Sequence, residues 1–159
     1  SDVCSSDLSF LSGNKENIEY INIDPLQYVF TSEQYASLDK IAQALQDKPE
    51  MHIVLTQRVN MRRALPRQAA GALRMAYAEH LKSADTTGRQ PMSMLEYEKI
   101  QQTDIRTPAI MAFADSLLTR QGISPQGLSA DDKALALYRE KAAGQLARMM
   151  AARNKALAE

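Results

Sequence analysis

The chain has 159 residues, with 19 basic and 19 acidic side chains, 45% hydrophobic residues, 6% aromatics, no Trp and one Cys. With no basic excess to neutralise phosphates, the electrostatic case for nucleic acid falls away. No apolar run approaches the roughly 18 residues needed to span a bilayer. The length suits one domain, and apolar content drawn largely from Ala and Met favours helix.

The chain opens Ser1-Asp2-Val3-Cys4-Ser5-Ser6-Asp7-Leu8. A common short-read sequencing adapter, TCAGACGTGTGCTCTTCCGATCT, encodes these residues in order when read in one frame. Residues 1–8 are therefore read as adapter-derived and set aside before fold reasoning. Cys4 goes with them, so no disulfide or thiol nucleophile remains. Asp2 and Asp7 go too, which leaves 19 basic against 17 acidic side chains. Residues 9–159 are expected to form a single truncated α+β domain, strand–helix–strand over 18–58 and mostly helical over 61–159.

Residues 9–17 read as a loop. Ile18–Ile23 alternates apolar and polar residues in a short strand pattern, closed by Asp24-Pro25 because Pro has no N–H to give a ladder. Thr31 and Gln34 have the capping-box form, and Leu38, Ile41, Ala42 and Leu45 then recur at helical spacing. Asp47-Lys48-Pro49 closes that helix. Met51–Thr56 reads as a second strand, more apolar than the first and expected to be more buried.

Beyond Asn60 the pattern is helical. Residues 61–82 carry Leu65, Leu73, Tyr77 and Leu81, with Pro66 expected near the start or at a kink. Asp85–Pro91 reads as a loop, and Ser93 with Glu96 opens a helix of about two to three turns by a second capping box. Thr107-Pro108 supplies N-cap and N1 for a helix ending near Gly122. Ser129 with Asp132 starts a last helix running towards Glu159 through Leu135, Tyr138, Ala142, Leu146 and Met149. Two strands alone make a poor sheet. A third is expected from sequence beyond Glu159, giving a small incomplete mixed sheet covered by several helices.

Little here carries chemistry. His52 and His80 are the only histidines, and neither has a partner at metal-ligand spacing. The glycines are isolated, so no phosphate loop forms, and no nucleophile elbow or zinc motif is present. The chain reads as non-enzymatic, with no metal or cofactor. Arg58, Arg62, Arg63 and Arg67, with Arg74 beyond them, cluster after the second strand as a candidate anionic-ligand or docking patch. The alternative is a solvated helix face, since Arg is a good helix former and Glu50 and Glu79 lie nearby in sequence. Met92, Met94, Met111, Met149 and Met150 suit either an adaptable partner surface or ordinary core. Polar residues at Gln145 and Arg153 interrupt the apolar spacing of the last helix and argue against a coiled-coil seam.

Ile21–Leu45, followed by Lys48-Pro49-Glu50-Met51-His52-Ile53-Val54-Leu55, resembles the C-terminal region of large AsmA-like envelope proteins of Gram-negative bacteria, in the branch carrying a domain of unknown function. The shared order is a strand, a Leu-x-x-Ile-Ala-x-x-Leu helix, a Lys-Pro and a second strand. The same unit is similar to the start of OmpA-like domains, and Arg153-Asn154-Lys155-Ala156-Leu157 resembles the Arg-rich helix that precedes the next strand in both groups. The resemblance covers residues 18–58 and, more thinly, 148–158. It implies a module on the periplasmic side of the cell envelope, in a parent tethered to the inner membrane upstream and contributing to outer-membrane assembly or lipid traffic. The implied partners are an envelope protein or a lipid headgroup. OmpA-like peptidoglycan binders follow the second strand with a Thr-Asp-x-x-Gly turn, whose Asp meets an ammonium group. Here the stretch reads Thr56-Gln57-Arg58-Val59-Asn60, and Arg58 would repel that group. A diverged OmpA-like peptidoglycan-binding module is therefore the alternative, and residues 84–130 would be an insertion.

Overall fold

Ile21 and Ile23 are buried while Tyr20 and Asn22 are exposed, so the alternation in the sequence has become one inward and one outward face. They belong to strand β2 (Tyr20–Ile23), in a computed structural model that describes residues 4–8, 20–84 and 91–159. The expected loop at 9–17, the start of the first strand at 18–19 and most of the expected loop at 85–91 lie outside the described residues. The other elements are β1 (Cys4–Leu8), α1 (Ser32–Asp47), β3 (Leu55–Arg58), α2 (Met61–Ala84), α3 (Met94–Gln101), α4 (Pro108–Arg120) and α5 (Ala130–Ala158). The class is α+β and helix-rich, as expected. The chain divides into two units, Ser1–Ala64 with Ala147–Glu159, and Leu65–Leu146.

The first unit holds a three-stranded sheet in the order β2-β1-β3. β1 pairs antiparallel with both neighbours, so β2 and β3 run parallel to each other without pairing. One expectation changes here. The pairings are all antiparallel rather than mixed, and the third strand among the described residues is β1, in the segment read as adapter. The physical reason is that backbone ladders are indifferent to sequence. Two parallel strands a strand's width apart present rows of N–H and C=O groups that any extended segment can meet.

Helix α1 starts as its sequence dictates. The Gln34 N–H donates to Thr31 Oγ1 (3.2 Å) and the Thr31 N–H to Gln34 Oε1 (2.9 Å), a complete capping box. Ile41 is buried with Ile21 and Ile23, and Phe30, Leu38, Leu45, Ile53, Leu55 and Val59 pack around them. Ala42, placed in the stripe by spacing, is exposed. The second strand forms later than expected, at Leu55–Arg58 rather than 51–56. Alternate exposure does run unbroken from Met51 to Arg58, but the ladder engages only from Leu55, opposite Leu8, to Arg58, opposite Ser5. Both β2 and β3 are edge strands, and β3 is half-buried at best and so less buried than β2, against the expectation from its apolar content.

The second unit is built from helices. Its core joins Ala69, Ala70, Leu73, Ile105, Ile110, Ala114, Ala134 and Ala142. Five of these eight are Ala, whose small side chains let helix axes approach closely. Pro66 sits in the second turn of α2, where it cannot donate to the Arg62 carbonyl. Leu81, expected on the apolar stripe, is 53% exposed. The Ser93–Glu96 capping box opens α3, and Pro108 occupies the first turn of α4 behind Thr107. Ser129 Oγ accepts the Asp132 N–H (3.1 Å) at the start of α5, which is interrupted at Tyr138 (φ −131°, ψ 16°). Between α4 and α5, Lys133 Nζ meets the buried Asp115 Oδ1 at 2.6 Å.

Helix α4 ends in a Schellman motif. The Ile123 N–H donates to the Leu118 carbonyl (2.9 Å) and the Gly122 N–H to Thr119 (3.0 Å), with Gly122 at φ 74°. A Cβ added at Gly122 would meet nothing within 4 Å, so a side chain there costs only conformational energy. Gly122→Ala should therefore destabilise by about 1 kcal/mol and lower the melting temperature by about 2–4 °C. Gln121→Ala, at an ordinary φ of −85°, should leave it in place. A thermal scan that does not separate the two variants would refute this account of the helix end.

Candidate functional site

The arginines singled out in the sequence are divided between the two units. Arg58 ends β3, and Arg62 and Arg63 lie in the first turn of α2, all exposed and all in the first unit. The first turn of α2 holds no acidic residue. Its positive charges thus add to the positive end of the helix dipole rather than offsetting it. Arg67 and Arg74 belong to the second unit. Arg67 is exposed, whereas Arg74 is half-buried and donates from Nε to the Thr103 carbonyl. Burial pulls the Arg74 pKa down, and Asp104 opposes that shift.

The histidines lie apart from these groups. His52 is exposed in the extended stretch before β3. His80 is exposed and lays its ring on Phe113, with centroids 4.9 Å apart at 32°. Among the described residues, no group of three or more His, Cys, Asp or Glu side chains could hold a metal ion.

The densest polar construction is one that spacing alone did not reveal. Arg153, in the last turns of α5, is only 6% exposed. Its Nη2 donates to the carbonyls of Asp24 (3.0 Å), Pro25 (2.6 Å) and Gln27 (2.9 Å), and its Nη1 to Gln57 Oε1 (3.3 Å). The Gln57 amide then donates from Nε2 to the Met150 carbonyl (3.2 Å) and to Asn154 Oδ1 (3.1 Å). One guanidinium thus ties the turn after β2 to β3 and to the end of α5. A buried charge is tolerable only when its donors are satisfied, and carbonyl dipoles do that here.

The turn itself is held from within. Asp24 Oδ1 accepts the Leu26 N–H (2.9 Å), and Gln27 Oε1 accepts the Asp24 N–H (2.9 Å). The Gln27 and Gln34 side-chain amides bond reciprocally at 2.7 and 3.2 Å. Gln34 Nε2 also donates to the Asn22 carbonyl, and Gln27 Nε2 to that of Val29 (2.9 Å). The sequence did carry a signal. Arg153 falls seven residues after the buried Leu146, at a core position of the helix, where an unpaired charge could not remain. Gln145, the other polar interruption, accepts from Gln68 Nε2 at 2.7 Å within the second unit. What the Arg153 arrangement does is positional. It fixes the β2–α1 turn and with it the edge carrying Arg58.

Elsewhere, Asp104 and Arg106 form an exposed local fork. Arg106 Nη2 and Nε donate to Asp104 Oδ2 and Oδ1 at 2.7 and 3.0 Å, and the Arg106 N–H donates to Oδ1 at 2.9 Å. The Arg106 side chain first, and then its backbone N–H, hold the Asp104 pKa down at about 2.

Two outcomes follow from this geometry. Arg153→Ala should cost about 2–3 kcal/mol in urea unfolding, because it strips the donors from buried carbonyls. Arg153→Lys should restore less than half, since an ammonium lacks the fork that reaches both the turn and Gln57. A loss below about 0.5 kcal/mol for the Ala variant would mean that the clamp is not holding the fold. For Asp104, the folded pKa is depressed, so its contribution is fully present above the unfolded value of about 3.9 and is lost as pH falls through about 2. Carboxyl NMR should report that midpoint, and Arg106→Ala should move it up towards the unfolded value. A midpoint unmoved by the substitution would remove Arg106 as the cause.

Compared with known proteins, the chain matches no family model, no curated protein and no solved structure, so the reading of the site rests on its own residues.

Proposed function

We propose that this chain is a non-catalytic docking module of a large envelope protein, acting on the periplasmic side in a parent tethered to the inner membrane and serving outer-membrane assembly or lipid traffic. One observation carries the reading. The two stretches that resemble AsmA-like proteins, 18–58 and 148–158, are far apart in sequence yet belong to the same folded unit. Arg153 of the second stretch clamps the turn of the first. The expected insertion, residues 84–130, falls within a unit of its own, Leu65–Leu146, which suits an insertion between the two halves of an ancestral strand–helix–strand module.

The partner is an envelope protein or a lipid headgroup, and Arg58, Arg62 and Arg63 supply the cationic face for it. The alternative, a diverged peptidoglycan binder, is disfavoured by chemistry. The stretch that would need a carboxylate for an ammonium group carries the exposed Arg58, and the Coulomb term has the wrong sign.

Excision of residues 18–159 from the parent gene should sensitise a Gram-negative host to detergent and to hydrophobic antibiotics that an intact outer membrane excludes. Unchanged sensitivity with normal parent levels would overturn the envelope reading. Titration of the isolated chain with a diaminopimelate-containing muropeptide should give no NMR shifts up to millimolar ligand. Shifts that vanish in Arg58→Ala or Arg67→Ala would establish the peptidoglycan alternative instead.

A further inference from the structure

We infer that the outward face of α3 is a self-association surface and that its partner is α3 of a second copy of this chain, aligned parallel to it, a property of the second unit that does not depend on the envelope reading. None of the eight residues of α3 is fully buried. Its inner side is marked by Tyr97, Ile100 and Gln101, which are half-buried. Gln101 Oε1 would lie 3.3 Å from a Cβ at Gly71 of α2, and Glu96 meets Lys82 of α2 at 3.5 Å. At about 100° per residue, the opposite side carries Leu95, with Glu98 and Lys99 one turn on and Met94 at its margin. All four are exposed, Met94 at 74% and Leu95 at 77%.

The charges decide what fits this face. Glu96 is engaged with Lys82, so neither Glu98 nor Lys99 has an opposite charge available three or four residues along its own helix. Glu98 lies on one flank of the line through Leu95 and Lys99 on the other. A twofold axis along parallel helices brings unlike flanks together, as at the e and g positions of a parallel coiled coil. Leu95 then meets Leu95 of the second copy, and one turn on each Glu98 stands beside the other copy's Lys99. An antiparallel pair would instead set Glu98 on Glu98 and Lys99 on Lys99. The face is self-complementary in one orientation and repulsive in the other, as an isologous contact requires. A bilayer would strip water from both charges without supplying either with a partner, and a partner of uniform charge would repel one of the two. Contact through one short helix is small, so the dimer is weak, with a Kd of roughly 10–100 µM.

The test is sedimentation velocity on the full chain, from about 1 to about 500 µM. The sedimentation coefficient should rise with concentration as monomer passes to dimer. Leu95→Glu should abolish association. An acid in the first turn suits the helix dipole, so the melting temperature of that variant should be unchanged. Glu98→Lys and Lys99→Glu should each weaken association about tenfold, because each sets like charges across the contact. An equimolar mixture of these two variants should associate at the wild-type level, since each supplies the unlike charges that the other lacks. A wild-type chain that stays monomeric at the highest concentration would overturn the proposal. Association that persists in Leu95→Glu would overturn it too, and would move the contact elsewhere, such as to an exposed edge of the sheet. Charge variants that leave association unchanged, alone and mixed, would refute the parallel pairing.

Discussion

The first unit depends on a single buried cation. Arg153 brings a charge into a place from which water is excluded, and the fold tolerates it because three carbonyls of one turn and one glutamine oxygen converge on it. The constraint works in both directions. The turn carbonyls of Pro25 and Gln27 belong to no helix or strand and take the guanidinium as donor, while the Asp24 carbonyl also accepts the Gln27 N–H (3.1 Å). The strand–helix–strand unit and the end of α5, which lie almost a hundred residues apart, therefore satisfy one another's polar groups. Among the described residues of this unit, the buried core cluster is Ile21, Ile23 and Ile41. Polar convergence specifies the geometry that this small core leaves underdetermined.

The second unit follows a different economy. Its core is Ala-rich, and its helices are set by local signals at their ends: a capping box at Ser93, Pro108 in the first turn of α4, and a Schellman motif at Gly122. Close packing of small side chains leaves no room to absorb a larger residue, so Ala69, Ala114, Ala134 and Ala142, each 0% exposed, are positions where added volume forces helices apart. The one ion pair spanning α4 and α5, Lys133 with Asp115, lies at the margin of that core. Its lysine is 13% exposed, which makes it a tie between helices rather than a solvated surface pair.

Legibility in the sequence tracked the range of the interaction. Helix starts at Thr31, Ser93 and Ser129 and the helix end at Gly122 were readable because each cap is closed within a few residues. The strand at 20–23 was readable from alternation. What failed was non-local. The ladder of β3 begins at Leu55 and not Met51 because pairing depends on where a distant strand lies, and alternation alone does not report that. Leu81 and Ala42 fit an apolar period yet face solvent, because nothing packs over them. Arg153 was visible as an interruption in the spacing of α5 but not as the centre of a clamp, since three of the four acceptors described above are backbone carbonyls, on which side-chain identity has no bearing. The arginine group was visible as a run in sequence, but unit membership was not: Arg58, Arg62 and Arg63 belong to the first unit, and Arg67 and Arg74 to the second.

The same backbone logic explains why a segment without strand propensity stands at the centre of the sheet. Two parallel strands joined through a helix need not pair with each other, and in this unit they leave room for one more. The occupant of that room gains ladder hydrogen bonds on both sides, whatever its sequence. The Arg153 clamp matters here at one remove. By fixing the turn after β2 and holding Gln57 of β3, it fastens both outer strands of the sheet to the same helix end.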